Sequence, residues 1–195
     1  MTTSAHKKES IYIAYDEKTG VIVHTHQRFD VETDKAMRCD LDEIKAMAIS
    51  DPRTVQKLTN QTAENLGVIE LQQLHDHEIP LSRYFLVDPA SKSLKRKPRL
   101  HLIPEKTKLQ GNGTDSVRIQ INVVGEKDKP IKYEGTVKVK TSRGKLSSEA
   151  GIVNVVGGKG AITLTSVNET IAQVKVTVAS LERTCIPDGV DLEFI

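Results

Sequence analysis

Two groups of histidines carry the residue type that most often binds transition metals in proteins. His24 and His26 are two positions apart, a spacing that puts both imidazoles on one face of a β-strand. His75 and His77 form a second group with acidic neighbours, and together the four rings would offer the ligands of a Zn²⁺ or Ni²⁺ site. The alternative is that they are exposed strand and loop histidines, because the spacings match no established metal motif. Metal binding therefore stands as one hypothesis, and no cofactor is otherwise predicted.

A short basic run lies between residues 92 and 99 and includes Lys95, Arg96 and Lys97. Such a cluster could contact the phosphates of nucleic acids or acidic lipids. The alternative is the solvated face of an edge strand, where lysine and proline block unwanted pairing. These three residues are predicted binding residues, but nucleic acid is not the expected partner because no aromatic residues interleave with the run.

No arrangement typical of a catalytic site is found in the sequence. Cys39 stands beside a predicted helix start, but no histidine is placed to activate it. Asp40 and Asp42 are better explained as helix-capping residues than as an acid/base pair. The glycine-rich segment 157–160 lies between predicted strands and not before a helix, so it indicates a hairpin turn and not a phosphate loop. The sequence predicts a protein that is not an enzyme and has no catalytic residues.

The second half of the chain alternates between apolar and polar residues with a period of two. The pattern occupies residues 117–123, 172–178 and 190–194. Successive side chains of a strand point to opposite faces, so each segment buries one face and exposes the other. Several such strands separated by glycine- and proline-bearing turns predict an all-β antiparallel sandwich.

The first half of the chain mixes strand and helix patterns. Residues 11–29 predict a hairpin with Gly20 in its turn, and residues 84–103 predict a second hairpin whose return strand runs from Leu94 to Ile103. Val68, Ile69 and Leu71 are predicted to begin a further strand. The first half is therefore predicted to be a small α+β domain.

Two helices are predicted between these hairpins. The first has Asp40 as N-cap with Glu43 three residues later, and a second short helix is predicted to start at Asp51 and Pro52 and to run through residue 58. The apolar stripe of the first helix contains Leu41, Ile44, Met47 and Ala48.

Composition divides the chain near residue 105. All six histidines precede residue 102, whereas most glycines lie between Gly111 and Gly160. The polar segment 105–113 is consistent with a linker, which predicts domains at 1–105 and 106–195. With 28 basic and 26 acidic residues the net charge is +2, so there is no overall attraction to nucleic acid or anionic membranes. The polar N-terminus predicts no signal peptide, synthesis in the cytoplasm and no membrane insertion.

Four segments of the second half resemble the bacterial immunoglobulin-like domains of the invasin and intimin group. They are Gly113-Thr-Asp-Ser, Lys129-Pro-Ile, the strand and turn at 137–148, and the glycine-rich segment with its following strand at 157–166. This resemblance implies an immunoglobulin-like sandwich that follows the α+β domain. It implies a fold and not a function, because one fold supports many functions.

Three hypotheses for function follow. The first is a non-enzymatic structural or interaction protein, a component of a bacteriophage virion or similar particle, such as a decoration or tail-associated subunit. It would have protein partners in a large assembly and form part of a homo- or hetero-oligomer. The second is an adhesin-type or carbohydrate-binding surface module that binds proteins or glycans through Tyr133, Arg143 and Lys145. The third is the metal-binding protein described above.

Overall fold

The chain folds into two compact units. The computed structural model describes residues 10–30, 35–51, 65–71, 80–169 and 171–195. Contacts divide the chain between Arg96 and Lys97. The boundary predicted after residue 105 thus differs from this division, and independent folding of the two halves stays a prediction. No helix within the described ranges is long and apolar enough to cross a membrane.

The described part of the first unit contains seven strands and two helices. They are β1 (Ile11–Asp16), β2 (Ile22–His26), β3 (Phe29–Asp30), β4 (Lys35–Ala36), α1 (Leu41–Ser50), β5 (Leu66–Leu71), α2 (Leu81–Tyr84), β6 (Phe85–Asp88) and β7 (Ser93–Arg96). Strand β1 is antiparallel to β2 on one side and to β5 on the other.

Both faces of this three-stranded sheet are covered, which explains why all six residues of β1 are buried. Helix α1 covers one face with Ile44 and Ala48. Leu81 of α2 and Val87 of β6 pack against the other face. A strand buried on both faces loses the polar-apolar alternation of a half-exposed strand.

Several predictions for this unit are confirmed. The first hairpin is present, and Gly20 has φ of +71° in its turn. The Asp40 carboxylate accepts a hydrogen bond from the Asp42 backbone N–H at the start of α1. Leu41 was predicted on the apolar stripe but is 47% exposed, because it lies in the first turn, outside the face that packs on the sheet. Asp51 caps the C-terminus of α1, and the rest of the predicted second helix lies outside the described residues.

The second predicted hairpin is only half correct. Strand β7 pairs with β6 through residues 93–96, as expected. The prediction that the return strand continues to Ile103 is wrong, because residues 99–104 form a separate strand that pairs within the second unit. Pro98 interrupts the run since it cannot donate a backbone hydrogen bond to a ladder.

The described part of the second unit, residues 97–169 and 171–195, contains nine strands. They are β8 (Arg99–Pro104), β9 (Lys108–Leu109), β10 (Ser116–Val124), β11 (Gly135–Thr141), β12 (Lys145–Leu146), β13 (Ile152–Val155), β14 (Lys159–Thr165), β15 (Ala172–Ser180) and β16 (Asp188–Phe194). One sheet has the order β12-β14-β10-β8 and the other the order β13-β11-β15-β16-β9.

The two sheets enclose one apolar core, so the predicted all-β sandwich is present. Inward residues alternate with exposed ones along β10, β15 and β16, in the phase that the sequence predicts. The largest fully buried side chains of this unit are Leu109, Ile119, Ile121, Leu164, Leu192 and Phe194. One pair departs from the antiparallel prediction, because β9 runs parallel to β16.

The motifs that resemble bacterial immunoglobulin-like domains lie at strand boundaries. The Gly113-to-Ser116 step leads into β10, and Gly157 and Gly158 form the turn into β14. Both of these turn glycines have positive φ, at +58° and +81°, the conformation that a tight hairpin turn requires.

The start of β8 bonds to the segment just before β16 through an isolated parallel bridge between Arg99 and Ile186. The Leu100 N–H donates to the carbonyl of Ile186 at 3.0 Å, and the Ile186 N–H donates to the carbonyl of Pro98 at 2.8 Å. The Leu102 N–H donates to the Asp188 carboxylate at 2.8 Å. Two backbone N–H groups on the outer side of β8, those of Leu100 and Leu102, are therefore already hydrogen-bonded, which disfavours the addition of a strand from another chain along this part of the edge.

Candidate interaction site

Four segments meet at one end of the sandwich, and we call them the loop end: residues 110–115, residues 142–145, residues 166–169 with Ile171, and Ile195. The Ser166 N–H donates to the carbonyl of Asp115 at 2.8 Å, and the Gly111 N–H donates to the carbonyl of Ile195 at 3.0 Å. The Arg143 guanidinium pairs with the Glu169 carboxylate. Loops held at one end of a rigid sandwich are where proteins of this architecture commonly bind partners.

The first loop-end segment is fixed by two side chains. Asn112 Oδ1 accepts hydrogen bonds from the backbone N–H groups of Thr114 and Asp115 at 3.0 and 2.9 Å. The Asp115 carboxylate accepts from Lys106 Nζ at 2.6 Å and from the Gln110 N–H at 2.8 Å. These bonds hold the loop in one conformation, as Asx turns do.

The hydrogen bond from Lys106 is the main reason why the pKa of Asp115 lies below its ordinary value, and the backbone donors add to it. A carboxylate with a lowered folded-state pKa stabilises the fold above its unfolded pKa, and this stability is lost as the pH falls through the folded pKa. We expect Asp115→Asn to lower the melting temperature at pH 7 and to matter less at pH 3. Thermal melts at both pH values measure this.

Asp191→Asn is the matched control, because Asp191 is exposed on β16 and lies opposite Lys175 in the sheet register. Its substitution should leave the melting temperature nearly unchanged, since exposed ion pairs contribute little. Equal effects of the two substitutions at both pH values would contradict the role assigned to Asp115.

The second loop-end segment is a tight turn between β11 and β12. Gly144 has φ of +86°, and a Cβ there would lie 2.7 Å from the Thr165 carbonyl oxygen. The Ser142 N–H donates to the carbonyl of Lys175, and the Lys175 N–H donates to Ser142 Oγ at 2.9 Å. The turn is thus bonded to β15, which positions the Arg143 side chain above the loop end.

Ile171 is the most unusual residue of the loop end. It is 82% exposed, and its φ is +58°. A β-branched residue in the left-handed region is rare because of steric strain, which costs roughly 1–3 kcal/mol. Ile195 adds a second apolar side chain that is 41% exposed. The loop end therefore carries two exposed apolar side chains and an exposed ion pair, a mixture of groups that protein-binding surfaces use.

Two of the three predicted contact residues lie at the loop end and one does not. Arg143 lies two residues after the end of β11, and Lys145 is exposed on the short edge strand β12. Tyr133 lies before the first residue of β11, at the other end of a strand about 23 Å long. The three residues therefore do not form one surface.

Tyr133 belongs to a half-buried hydroxyl cluster. Its hydroxyl is 2.8 Å from Thr184 Oγ1 and 3.3 Å from Ser180 Oγ, and these two hydroxyls are 3.0 Å from each other. Burial raises the pKa of Tyr133, and the hydrogen bonds from Ser180 and Thr184 oppose that rise. The ring packs over Gly135, where a Cβ would lie 2.6 Å from the tyrosine oxygen.

We expect Tyr133→Phe to destabilise the sandwich by about 1 kcal/mol, because Ser180 and Thr184 can still bond to each other. Urea unfolding followed by circular dichroism measures the change. The double variant with Thr184→Val should show coupling between the two sites, since they share one hydrogen bond. Strictly additive effects would rule out that coupling.

The predicted basic run does not form one cationic surface. Lys95 and Arg96 are exposed on β7, but successive strand residues point to opposite faces. Lys97 is only 5% exposed. It lies near Cys185, where its charge lowers the pKa of a thiol that burial raises more strongly.

The two cysteines are unpaired thiols with raised pKa values. Burial is the main cause at both Cys39 and Cys185. A raised pKa keeps a thiol protonated at neutral pH, and the protonated form is a poor nucleophile.

The predicted histidine ligands are described only in part. His24 and His26 lie on one face of β2, with ring centroids 6.2 Å apart. His75 and His77 lie outside the described residues. Among the residues that the structure describes, no group of three or more histidine, cysteine or acidic side chains is placed to hold a metal ion.

Comparisons with known proteins gave matches only among solved structures. No protein-family model matches the chain, and neither does any curated protein. The chain is similar to a C-terminal 282-residue fragment of intimin solved in complex with the intimin-binding domain of the translocated intimin receptor. The identity is 25%, the match covers 48% of this chain and 32% of that one, and the TM-score is 0.38.

Two further structures are similar at lower identity. The Yersinia pseudotuberculosis adhesin InvE is 16% identical over 51% of this chain and 28% of its own, with a TM-score of 0.42. A glycosyl hydrolase family 2 protein from Bacteroides cellulosilyticus is 10% identical over 100% of this chain and 24% of its own, with a TM-score of 0.46. The chain spans less than a third of the length of the intimin fragment and of InvE.

Proposed function

We propose that the protein is a non-enzymatic interaction protein, an adhesin-type module whose sandwich binds a protein partner through the loop end. The exposed Ile171 is the observation on which this proposal rests. Exposing a strained apolar side chain to water is unfavourable, and covering it with a partner removes that exposed area from water.

The surroundings of Ile171 support a protein partner. Other segments of the loop end are hydrogen-bonded to the sandwich, so their backbone loses little conformational entropy on binding. The Arg143–Glu169 pair, with side chains 48% and 41% exposed, can exchange its mutual contact for contacts to polar groups of the partner. Arginine is among the residues that are enriched in binding hot spots, which adds Arg143 to the candidate contacts.

Substitution of Ile171 tests the proposal in the full chain. Immobilised wild-type protein, Ile171→Asp and Val156→Asp are compared for the proteins that they retain from an extract of the native surroundings. Val156 is the matched control, because it is 67% exposed and follows β13 at the end of the sandwich opposite the loop end. The partner should be retained by wild type and Val156→Asp and weakened about 30-fold or more by Ile171→Asp.

Other results would contradict the proposal. Equal retention of every bound protein by all three chains would exclude Ile171 from the binding surface. Selective loss with Val156→Asp would place the surface at the opposite end.

The more specific prediction of a virion component, with its particle-associated location and oligomeric state, stays a prediction. Sedimentation of the native protein in a density gradient tests it, since a particle subunit would sediment with the particle. Glycan binding also stays a prediction, which a glycan array probed with the full chain would test.

A further inference from the structure

One dipeptide of the loop end has the chemistry of a self-modifying site. Asn112 is followed by Gly113, and it is the only one of the six asparagines in the sequence that precedes a glycine. The backbone nitrogen of a following residue can attack the asparagine Cγ and close a five-membered ring, an intramolecular reaction that sterically open glycine favours. Asn112 lies exposed in the first loop-end segment, so the water that completes the reaction reaches it.

The fold requires glycine at position 113. Its φ is +78°, and a Cβ there would lie 2.8 Å from Oδ1 of Asn168. A larger residue would be strained and would press on the neighbouring loop. The same lack of a side chain leaves the Gly113 nitrogen unshielded, and its N–H donates no hydrogen bond to the described residues. The attacking nitrogen is therefore not held in another interaction of the described chain.

Three donors surround the amide oxygen of Asn112. Oδ1 accepts from the Thr114 N–H at 3.0 Å, from the Thr114 hydroxyl at 3.0 Å and from the Asp115 N–H at 2.9 Å. This oxygen gains negative charge when the Gly113 nitrogen adds to Cγ of Asn112. Donors at roughly 2.7–3.1 Å stabilise an oxyanion of this kind, and here they are in place before the reaction begins. The loop therefore lowers the barrier to ring closure.

We propose that Asn112 deamidates spontaneously through Gly113 in the folded protein, and that the three donors accelerate this reaction. The Gly113 nitrogen loses its proton to water and bonds to Cγ of Asn112. The Cγ–Nδ2 bond then breaks, and Nδ2 leaves as ammonia with a proton taken from water. Water opens the resulting cyclic imide at either carbonyl, which gives aspartate or isoaspartate. The net reaction consumes one water molecule, releases one ammonia molecule and needs no oxidant.

Deamidation changes the loop end covalently. Either product adds a carboxylate close to Asp115, whose backbone N–H bonds to Asn112 in the unmodified chain. Isoaspartate also routes the main chain through Cβ and lengthens it by one carbon, which displaces the oxygen that holds the N–H groups of Thr114 and Asp115. Aged protein thus differs from fresh protein in the charge and conformation of residues 110–115. This reaction does not depend on the binding function proposed for the loop end.

Incubation of the full chain in water labelled with heavy oxygen tests the proposal. Peptide mapping by mass spectrometry should show Asn112 converted about tenfold or more faster than Asn168, which is exposed at the same loop end but precedes Glu169. An isoaspartyl methyltransferase assay should detect isoaspartate in the peptide that contains residue 112. The rate should rise with pH, because the attacking nitrogen must lose its proton.

Two comparisons test the role of the donors. Thr114→Val removes the hydroxyl donor and keeps the side-chain shape, so it should slow the conversion of Asn112 about fivefold. Ser116→Ala is the matched control, because it removes the next exposed hydroxyl along the chain and none of the three donors. The folded wild type should also react faster than the same chain unfolded in urea, where the donors are lost. Slower conversion in the folded chain, an unchanged rate in Thr114→Val, or no conversion at Asn112 would overturn the proposal.

Discussion

Gly158→Ala is expected to destabilise the sandwich by about 3–5 kcal/mol. A Cβ at this position would lie 2.0 Å from the carbonyl oxygen of Ile131, and the φ of +81° is unfavourable for alanine. The backbone cannot move aside, because the Gly158 N–H donates to the carbonyl of Tyr133 at 2.9 Å and its carbonyl accepts from Val123 at 2.8 Å. Urea unfolding and amide exchange in β10 and β14 measure the loss.

Gly157→Ala is the matched control for this substitution. Gly157 is the adjacent residue of the same turn and also has positive φ, but nothing lies within 4 Å of a Cβ placed there. It should cost only the conformational penalty of about 1–2 kcal/mol. If the two variants were equally stable, the close approach of Ile131 would not be what requires glycine at 158.

Phe194→Ala is expected to destabilise the sandwich by about 3–5 kcal/mol. The side chain is fully buried between the sheets, opposite Ala172 on β15. Removing the ring leaves a cavity lined by residues that strand pairing holds in place, so the site cannot collapse to fill it. Urea unfolding measures the change.

Ile195→Ala is the control for the phenylalanine, because Ile195 is the next residue and is 41% exposed. Its substitution should cost less than about 1 kcal/mol, since most surface changes have small effects. If both variants lost a similar free energy of unfolding, the cause would be fraying at the end of β16 and not a cavity at Phe194.

The strands of the second unit could be predicted because each has one buried and one exposed face. From Val117 to Val123, apolar residues alternate with polar residues, and the apolar ones are buried, because every second side chain of the strand faces the core. The hairpin at Gly20 could also be predicted, because positive φ limits the residue choice at that position.

The division of residues 93–104 between two strands was not predictable from alternation. Leu94, Leu100 and Leu102 share one phase, so the pattern alone joins them into a single strand. Only tertiary pairing distinguishes a strand that returns to β6 from one that joins β10. Pro98 was the available signal of an interruption.

Of the residues at the loop end, the sequence predicted only Arg143 and Lys145 as contact residues. Ile171 was not predicted, although its position offered a signal. It lies two and four residues before Gln173 and Lys175, which face solvent on β15, so Ile171 falls on the solvent-facing side. An isoleucine is unexpected at a solvent-facing position just before a strand, because its side chain faces water there and not the core. Its left-handed backbone has no sequence signature, because β-branched residues rarely adopt positive φ.

The parallel contacts that β8 and β9 make with β16 and the segment just before it have a mechanical consequence. The chain enters the sandwich beside Pro98 and Ile186 and leaves it at Ile195 beside Leu109. Tension applied between these two points pulls β8 and β9 in the direction opposite to β16. Their hydrogen bonds are then loaded in shear and must break together, whereas bonds at the edge of a peeled hairpin break one at a time. Resistance to forced unfolding of this kind is governed by the unfolding rate and not by equilibrium stability.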